Sequence, residues 1–287
     1  MSAVHERFTV LGASGFIGAA LVAWLESHDH TVHAITRAAL PSLLATRRSV
    51  GHAIDCIGLP ADFHTNRLET AEAHVGLVAR CLAELNFASF LLLSSTRVYA
   101  RAASTHEDAL LPALPTDASD LYNVTKLAGE ALCLADTRSN IRVVRLSNVY
   151  GFGMLEQTFL GEVLREGQRS GRVLFGQSAA STEDYVSLPA VVRLLPRIAA
   201  SGQHRLYNVA AGENVSHRAI ADTLRDILGW QTNFSPDAPT VARLPIDTTR
   251  LESEFGPATS HLIADLPTLL ALQQESECLP SMKLKAA

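Results

Sequence analysis

The sequence predicts an α/β chain, a doubly wound parallel sheet with a smaller, irregular C-terminal lobe, and three observations carry that reading. Short apolar runs alternate with longer amphipathic ones through the first half, the rhythm of crossover-connected parallel strands. Hydrophobic residues make up 47% of the 287 and charged residues 18%, enough apolar surface to bury a sizeable core and exclude disorder over most of the length. From Gly151 onward the pattern loosens, broken by Gly153, Gly161, Gly167, Gly171 and Gly176. We therefore expect one domain over residues 1–150, a lobe over 151–275 with some strands and helices returning to the first, and a tail over 276–287.

In order, Phe8 to Leu11 reads as the first strand and Phe16 to Glu26 as a helix. Thr31 to Ile35, Ala53 to Ile57 and Phe90 to Leu93 read as further strands, the last leading into Ser94. A polar, proline-containing loop precedes the helix Leu121 to Leu134. Arg142 to Leu146 is again a strand, and Tyr207 to Ala211 with the helix Ser216 to Leu228 restores order late in the chain. No internal repeat is visible, and ESECLPSMKLKAA at the end reads as frayed.

Composition excludes several functions. Against 29 acidic residues stand 24 basic ones, a net charge of -5 that gives no support to a nucleic-acid surface. No apolar run approaches the roughly 18 residues of a membrane span, and the first residues lack a signal peptide, so we expect a cytoplasmic protein without a membrane partner. Cys56, Cys81, Cys133 and Cys278 form no C-x-x-C pair, and Cys56 and Cys133 lie in apolar runs suited to reduced thiols. The chain has 11 histidines, but His28 and His30 flank a loop and no H-E-x-x-H occurs, so no metal site is expected.

The first strand runs straight into Gly12-Ala13-Ser14-Gly15-Phe16-Ile17-Gly18, which opens a helix. Glycines let backbone approach a pyrophosphate, the helix N-terminus offers free N–H groups and partial positive charge, and Gly18 lets helix and strand pack closely. Gly12, Ser14, Gly15, Phe16, Ile17 and Gly18 are thus the expected phosphate-binding residues of a Rossmann-type dinucleotide fold. The spacing differs from G-x-G-x-x-G by one residue. Where a ribose-reading carboxylate usually stands, this chain has Thr36-Arg37. A hydroxyl and a guanidinium suit a 2'-phosphate, so NADP is the preferred cofactor, with NAD possible.

Tyr122 and Lys126 lie four residues apart, hence on one helical face. A nearby ammonium favours the phenolate, which lets a tyrosine exchange a proton with a substrate hydroxyl at neutral pH. Ser94-Ser95-Thr96 ends a strand that reads as central, the place where open α/β sheets bind ligands. One of these hydroxyls can orient the substrate oxygen. The bland readings are a solvated helix face for the pair and strand-end capping for the serines.

At this point the chain resembles the extended short-chain dehydrogenase/reductase family, the NAD(P)-dependent epimerases and dehydratases of nucleotide sugars. The likeness covers roughly residues 7 to 256. It rests on the glycine loop, LLLSSTRVYA (91–100), HEDALLPALPTDASDLYNVTKLAGE (106–130), RLSNVYG (145–151), EDYVSLPAVV (183–192), YNVAAGENVS (207–216) and DTTRLESEFG (247–256). The resemblance implies Ser95 as the catalytic hydroxyl, Tyr122 as acid/base, and Lys126 as its activator and a cofactor ribose ligand. It places Ser95, Thr96 and Asn148 at the substrate, Asn148 near the nucleotide-sugar phosphates. It also implies a homodimer packed through the helix Leu121 to Leu134, where Leu127, Ala131 and Leu134 lie at helical spacing.

Departures bear on chemistry. Thr96-Arg97 stands where the 4,6-dehydratases of this family carry an acidic pair, which argues against dehydration. Glu183 replaces an arginine that often binds the substrate diphosphate, and a carboxylate there repels such a group. Only 16 residues separate Arg37 from Ile54, fewer than the family spends on its third strand and adjoining helix, so the adenine end is altered. His74 stands where asparagine is common and reads as a tolerated surface or core variation. The expected function is an epimerase or ketoreductase of a secondary alcohol or ketone on a sugar, nucleotide-linked as the resemblance implies. The alternatives are reduction of a small non-nucleotide carbonyl compound and a catalytically silent NADP-binding sensor.

Overall fold

The computed structural model describes residues 5–46, 48–58 and 65–278 of the chain. Strand β1 (Arg7–Leu11) leads through the glycine loop into helix α1 (Phe16–Ser27), β2 (Thr31–Ile35), the short α2 (Leu40–Thr46) and β3 (His52–Asp55). Helix α3 (Arg67–Ala71) continues through one π-helical segment, Glu72–Gly76, into α4 (Leu77–Glu84), followed by β4 (Ser89–Ser95), α5 (Asp120–Ala135), β5 (Ile141–Leu146) and β6 (Asn148–Tyr150). Then come α6 (Phe159–Ser170), β7 (Arg172–Phe175), β8 (Thr182–Ser187), α7 (Leu188–Ser201), β9 (Leu206–Val209) and β10 (Asn214–Ser216). Helix α8 (His217–Leu228), β11 (Gln231–Phe234), α9 (Thr249–Phe255) and α10 (Leu262–Cys278) complete the described chain.

Six strands form one parallel sheet in the order β2-β1-β3-β4-β5-β9. Alternate residues face opposite layers, as a period of two requires. Phe8 and Val10, Leu91 and Leu93, Val144 and Leu146 pack on α1 and α7; Phe90 and Leu92, Ile141 and Val143 pack on α4 and α5. Both faces are covered, which is the doubly wound α/β architecture expected from the sequence.

The later chain builds two small sheets, β10-β8-β6 and β11-β7. A separate apolar cluster holds them, with Leu160, Leu164, Phe175, Ile220, Leu224 and Leu266 at its centre. Helix α7 and strand β9 return to the large sheet and bury Leu194, Leu195, Ile198, Tyr207 and Val209 there.

Several elements differ from expectation. Strand β4 is longer than Phe90 to Leu93, because Ser94 and Ser95 still pair with Arg145 and Leu146 of β5. Strand β3 ends at Asp55, since Cys56 to Gly58 turn out of the sheet to line a cavity. The short connection after Arg37 holds only a 3-10 turn and α2, leaving β2 as the sheet edge. Helix α10 carries Glu275 to Cys278 of the stretch read as frayed, and residues 279–287 lie outside the described ones. Among the described residues no helix is long and apolar enough to cross a membrane.

Candidate active site

The glycine loop is built from backbone. Gly12 adopts a φ of +80°, open to glycine and strained for other residues. The N–H groups of Gly12 and Ala13 both donate to the Ile35 carbonyl (2.8 and 3.1 Å), tying the loop to the end of β2. A Cβ on Gly18 would lie 2.2 Å from the Gly12 carbonyl oxygen, so only glycine lets α1 pack this close. Gly15 caps α1 without a side-chain hydrogen bond, which leaves first-turn N–H groups to a ligand. Gly15, Phe16 and Ile17 open onto a cavity of about 740 Å³ that continues past Cys56 to Gly58 to Ser95, Tyr122 and Lys126. This backbone cradle joined to a long cavity fits an extended dinucleotide.

Ser14 is exposed, whereas Gly12 and Gly18 stand behind the loop and off the cavity wall. Thr36 and Arg37 are also off that wall, exposed at the end of β2. Thr36 Oγ1 accepts the Ala39 N–H (3.3 Å), capping the 3-10 turn that Arg37 opens. The Arg37 charge acts inward on Asp55, whose carboxyl burial pushes up to about 6, against a hydrogen bond from the Ile57 N–H (3.0 Å).

Ser95, Tyr122 and Lys126 meet on one wall of the cavity. Ser95 Oγ accepts the Arg97 N–H (3.2 Å), which leaves its own proton to donate outward. Helix α5 buries Tyr122 and Lys126, 8% and 7% exposed. The Lys126 ammonium donates to the Leu93 carbonyl (2.9 Å) and lies 5.8 Å from the Tyr122 ring centre. A second cation, Arg97, lies 5.7 Å from the same ring. His74 meets the ring edge-on at 5.2 Å. Of the surface and core positions that the sequence left open, His74 takes the core one: it is 2% exposed and bonds Thr125 Oγ1 (2.9 Å). Thr125 gives its proton to the Tyr122 carbonyl (3.0 Å), so the proton between the two side chains belongs to His74 Nδ1. Burial, then the charges of Lys126 and Arg37, hold this imidazole neutral, down to about 3.

The family model of the NAD-dependent epimerase/dehydratase family matches residues 8–210, the greater part of the chain and every element of this wall. The chain belongs to that family. A rice protein (Oryza sativa subsp. japonica) provisionally named GDP-L-fucose synthase 2 is 26% identical over 273 residues, covering 87% of this chain and 77% of its own. The dTDP-4-dehydro-6-deoxy-D-allose reductase of Streptomyces bikiniensis is 24% identical, covering 84% of this chain and 88% of its own. Among solved structures, MoeE5 in complex with UDP-glucose and NAD shares the fold at a TM-score of 0.78 and 23% identity, over 95% of this chain and 100% of that one. RMD from Pseudomonas aeruginosa complexed with NADPH does so at 0.77 and 21%, over 94% and 99%. The chain is therefore an NAD(P)-dependent enzyme of the extended short-chain dehydrogenase/reductase type.

Beneath the strand-end serines, this member of the epimerase/dehydratase family builds a buried polar network. Ser94 donates to Glu130 (2.5 Å), and Arg145 clasps the same carboxylate through Nη2 (2.6 Å) and Nε (3.1 Å). Arg145 also donates to the Tyr99 hydroxyl (2.7 Å), which donates to Asn208 Oδ1 (2.9 Å). Glu130 and Arg145 are each 3% exposed, so their charges are compensated chiefly by one another and fix the end of β4. The sequence carried these residues in matched motifs but gave no sign that they meet.

Asn148, which the resemblance implied near the nucleotide-sugar phosphates, lies on the wall of the same cavity. Asn148 Nδ2 donates to Glu183 Oε2 (3.0 Å) and to the Asp184 carbonyl (2.9 Å), spending its donors within the protein. Thr96, Asn148 and Glu183 do line the cavity, joined by Arg97, Asn214 and Arg243, which the sequence reading had not assigned to a ligand. Arg243 arrives from the long loop before α9 and carries no local motif. Among the described residues no group of three His, Cys, Asp or Glu side chains is placed to hold a metal ion.

Proposed function

We propose that this enzyme prefers NADP and acts as an epimerase or ketoreductase on a secondary alcohol or ketone of a nucleotide-linked sugar, with Tyr122 as acid/base. The observation that carries this reading is the meeting of Ser95, Tyr122 and Lys126 on one wall of the cavity that begins at the glycine loop. A bound nicotinamide supplies hydride acceptance or donation at the substrate carbon. Ser14, Gly15, Phe16 and Ile17 hold its pyrophosphate in the loop that Gly12 and Gly18 shape, and Thr36 and Arg37 hold its adenosine end. Ser95 donates a hydrogen bond to the substrate oxygen, and Tyr122 takes the hydroxyl proton in oxidation or returns it in reduction. Lys126 stabilises the phenolate, and its tie to the Leu93 carbonyl fixes where its charge sits.

Tyr122→Phe tests the reading. Turnover should fall by roughly 10²- to 10⁴-fold while cofactor affinity is kept. Unchanged turnover on a true substrate would make the pair an ordinary helix face and favour the silent sensor. NADP preference rests on Arg37: Arg37→Ala should remove it, and equal affinities for NAD and NADP in the parent protein would refute it.

Assembly as a homodimer through helix α5 belongs to the same reading, with Ala131 the one of its three expected residues that faces outward. Leu127 and Leu134 pack inward on the monomer's own clusters, while Ala128, Ala131, Leu132 and Ala135 of α5 face a groove shared with Val75, Ala79, Leu82 and Ala83. A monomeric mass by light scattering at micromolar concentration would discard it.

A further inference from the structure

Behind Tyr122 and Lys126 stands an imidazole that proton transfer to a substrate does not use. His74 sits in the π-helical segment Glu72–Gly76, a widened turn of the kind that recurs at functional sites. Gly129 of α5 admits that turn closely, since a Cβ there would lie 2.4 Å from the His74 carbonyl oxygen. The ring is thereby set edge-on to Tyr122, with Nδ1 giving its proton to Thr125 Oγ1 (2.9 Å). Nε2 of the neutral ring therefore holds a lone pair. It is buried and has no hydrogen-bond partner among the described residues. A buried acceptor in that condition is costly, and a group that brings a proton relieves it.

Gly58 marks where such a group stands. A Cβ on Gly58 would lie 3.8 Å from His74 Nε2 and 3.8 Å from Lys126 Nζ, so the missing side chain leaves a corner of the cavity that both nitrogens border. Lys126 only donates, and it gives one of its three protons to the Leu93 carbonyl (2.9 Å). His74 Nε2 only accepts. A group that satisfies both must accept and donate through one atom, which a hydroxyl does and a phosphate, carboxylate or carbonyl oxygen does not. In a dinucleotide laid from the glycine loop to Ser95 and Tyr122, the part with hydroxyls between pyrophosphate and nicotinamide is a ribose.

We propose that His74 Nε2 accepts the hydrogen bond of the cofactor ribose hydroxyl to which Lys126 donates, so that imidazole and ammonium form a matched acceptor and donor for one oxygen. This rests on the reading of Lys126 as a ribose ligand. The bond from Nδ1 to Thr125 fixes the tautomer, and with it the lone pair on the side of the corner.

ADP and ADP-ribose differ by that ribose alone, and their 2'-phosphorylated forms differ likewise. The ratio of the two affinities in each series, measured by calorimetry, therefore reads the ribose contacts without turnover. In the parent protein the ribose should tighten binding by at least about tenfold in the preferred series. His74→Leu should cut that ratio by about 3- to 10-fold, the effect of one neutral hydrogen bond, and leave the ribose-free ligand unaffected. His74→Gln should restore part of it, because its amide oxygen returns an acceptor. Gly58→Ala fills the corner at ordinary contact distances with both nitrogens in place, so it should keep the parent's urea midpoint while the ratio falls as in His74→Leu. Equal weakening of ADP and ADP-ribose in His74→Leu makes the imidazole a brace for Tyr122 and overturns the proposal. So does a ratio unchanged by His74→Leu or by Gly58→Ala, the result that a water in the corner would give. Lys126→Met separates the two readings: a ratio that falls there but not in His74→Leu overturns the proposal and keeps Lys126 as the ribose ligand. A ratio that Lys126→Met leaves intact overturns that reading of Lys126, and the proposal with it.

Discussion

Replacing Gly18 by alanine tests how closely the cofactor cradle is built. The added Cβ would lie 2.2 Å from the Gly12 carbonyl oxygen, 2.9 Å from its carbon and 3.1 Å from Ala13 Cα. An ordinary carbon–oxygen contact needs about 3.3 Å, so backbone must move by roughly 1 Å. Neither side yields readily: the loop is tied to the Ile35 carbonyl by the Gly12 and Ala13 N–H groups, and α1 is anchored by buried Leu21 and Leu25. Overpacking with a backbone shift costs about 1–3 kcal/mol, and the upper end applies here. Gly18→Ala should therefore lower the urea midpoint by an amount equivalent to about 3 kcal/mol and weaken cofactor affinity at least about tenfold, because the displaced loop carries the phosphate N–H groups. Gly15→Ala is the control, since its Cβ would sit at an ordinary 3.4 Å from the Gly12 oxygen. It should change stability by less than about 1 kcal/mol and act on cofactor binding alone. A normal midpoint for Gly18→Ala, or equal destabilisation of the two variants, would refute this account of the loop.

Acid sensitivity has a specific source in His217, fully buried in the C-terminal lobe, stacked on Phe159 at 4.1 Å and held neutral by burial down to about 4. Below its ordinary value of 6.5 the unfolded chain takes a proton that the folded one refuses, so stability falls with pH down to about 4. His217→Phe should remove about 2–3 kcal/mol of the loss between pH 7.5 and 4.5, read as the difference between the two proteins' unfolding midpoints across that range; parallel curves would sink the idea. Glu130→Leu should cost about 3–5 kcal/mol because it strands the buried Arg145 charge, and adding Arg145→Leu should recover a large part. Strictly additive losses in urea unfolding would mean the two charges are not coupled.

The parallel sheet and the glycine loop were legible because short-range periodicity and spacing encode them, whereas the choice of Ser95 to stand with Tyr122 and Lys126 came from the family resemblance. Strand β4 was read two residues short at its C-terminal end because serine carries little strand preference; only pairing with β5 keeps Ser94 and Ser95 in the sheet. Whether His74 lies at the surface or in the core stayed open because burial of a polar side chain depends on what arrives opposite it. Its partner Thr125 stands 51 residues away, and Gly129 is what admits α5 so near, since a Cβ there would lie 2.4 Å from the His74 carbonyl. The apolar residues of α5 were hard to assign for a related reason. Helical spacing marks an apolar face but not whether the same monomer covers it, and Leu127 and Leu134 pack on clusters built from segments distant in sequence.

The polar groups along the cavity wall are held mainly from within the protein. Near β4, charges are matched within the protein: Glu130 with Arg145, and Ser94 and Tyr99 joined to them by hydrogen bonds between 2.5 and 2.7 Å. Such a network fixes one geometry, which a donor aimed at a developing charge requires, because an oriented dipole aids catalysis only if it need not reorganise. Elsewhere on the wall Asn148 holds Glu183 (3.0 Å) and the Asp184 carbonyl (2.9 Å), and the Asp184 carboxylate accepts the N–H groups of Ala211 (3.0 Å) and Gly212 (2.7 Å). These side chains are fixed by bonds within the protein as well, so a ligand entering the cavity meets groups whose positions are set before it arrives.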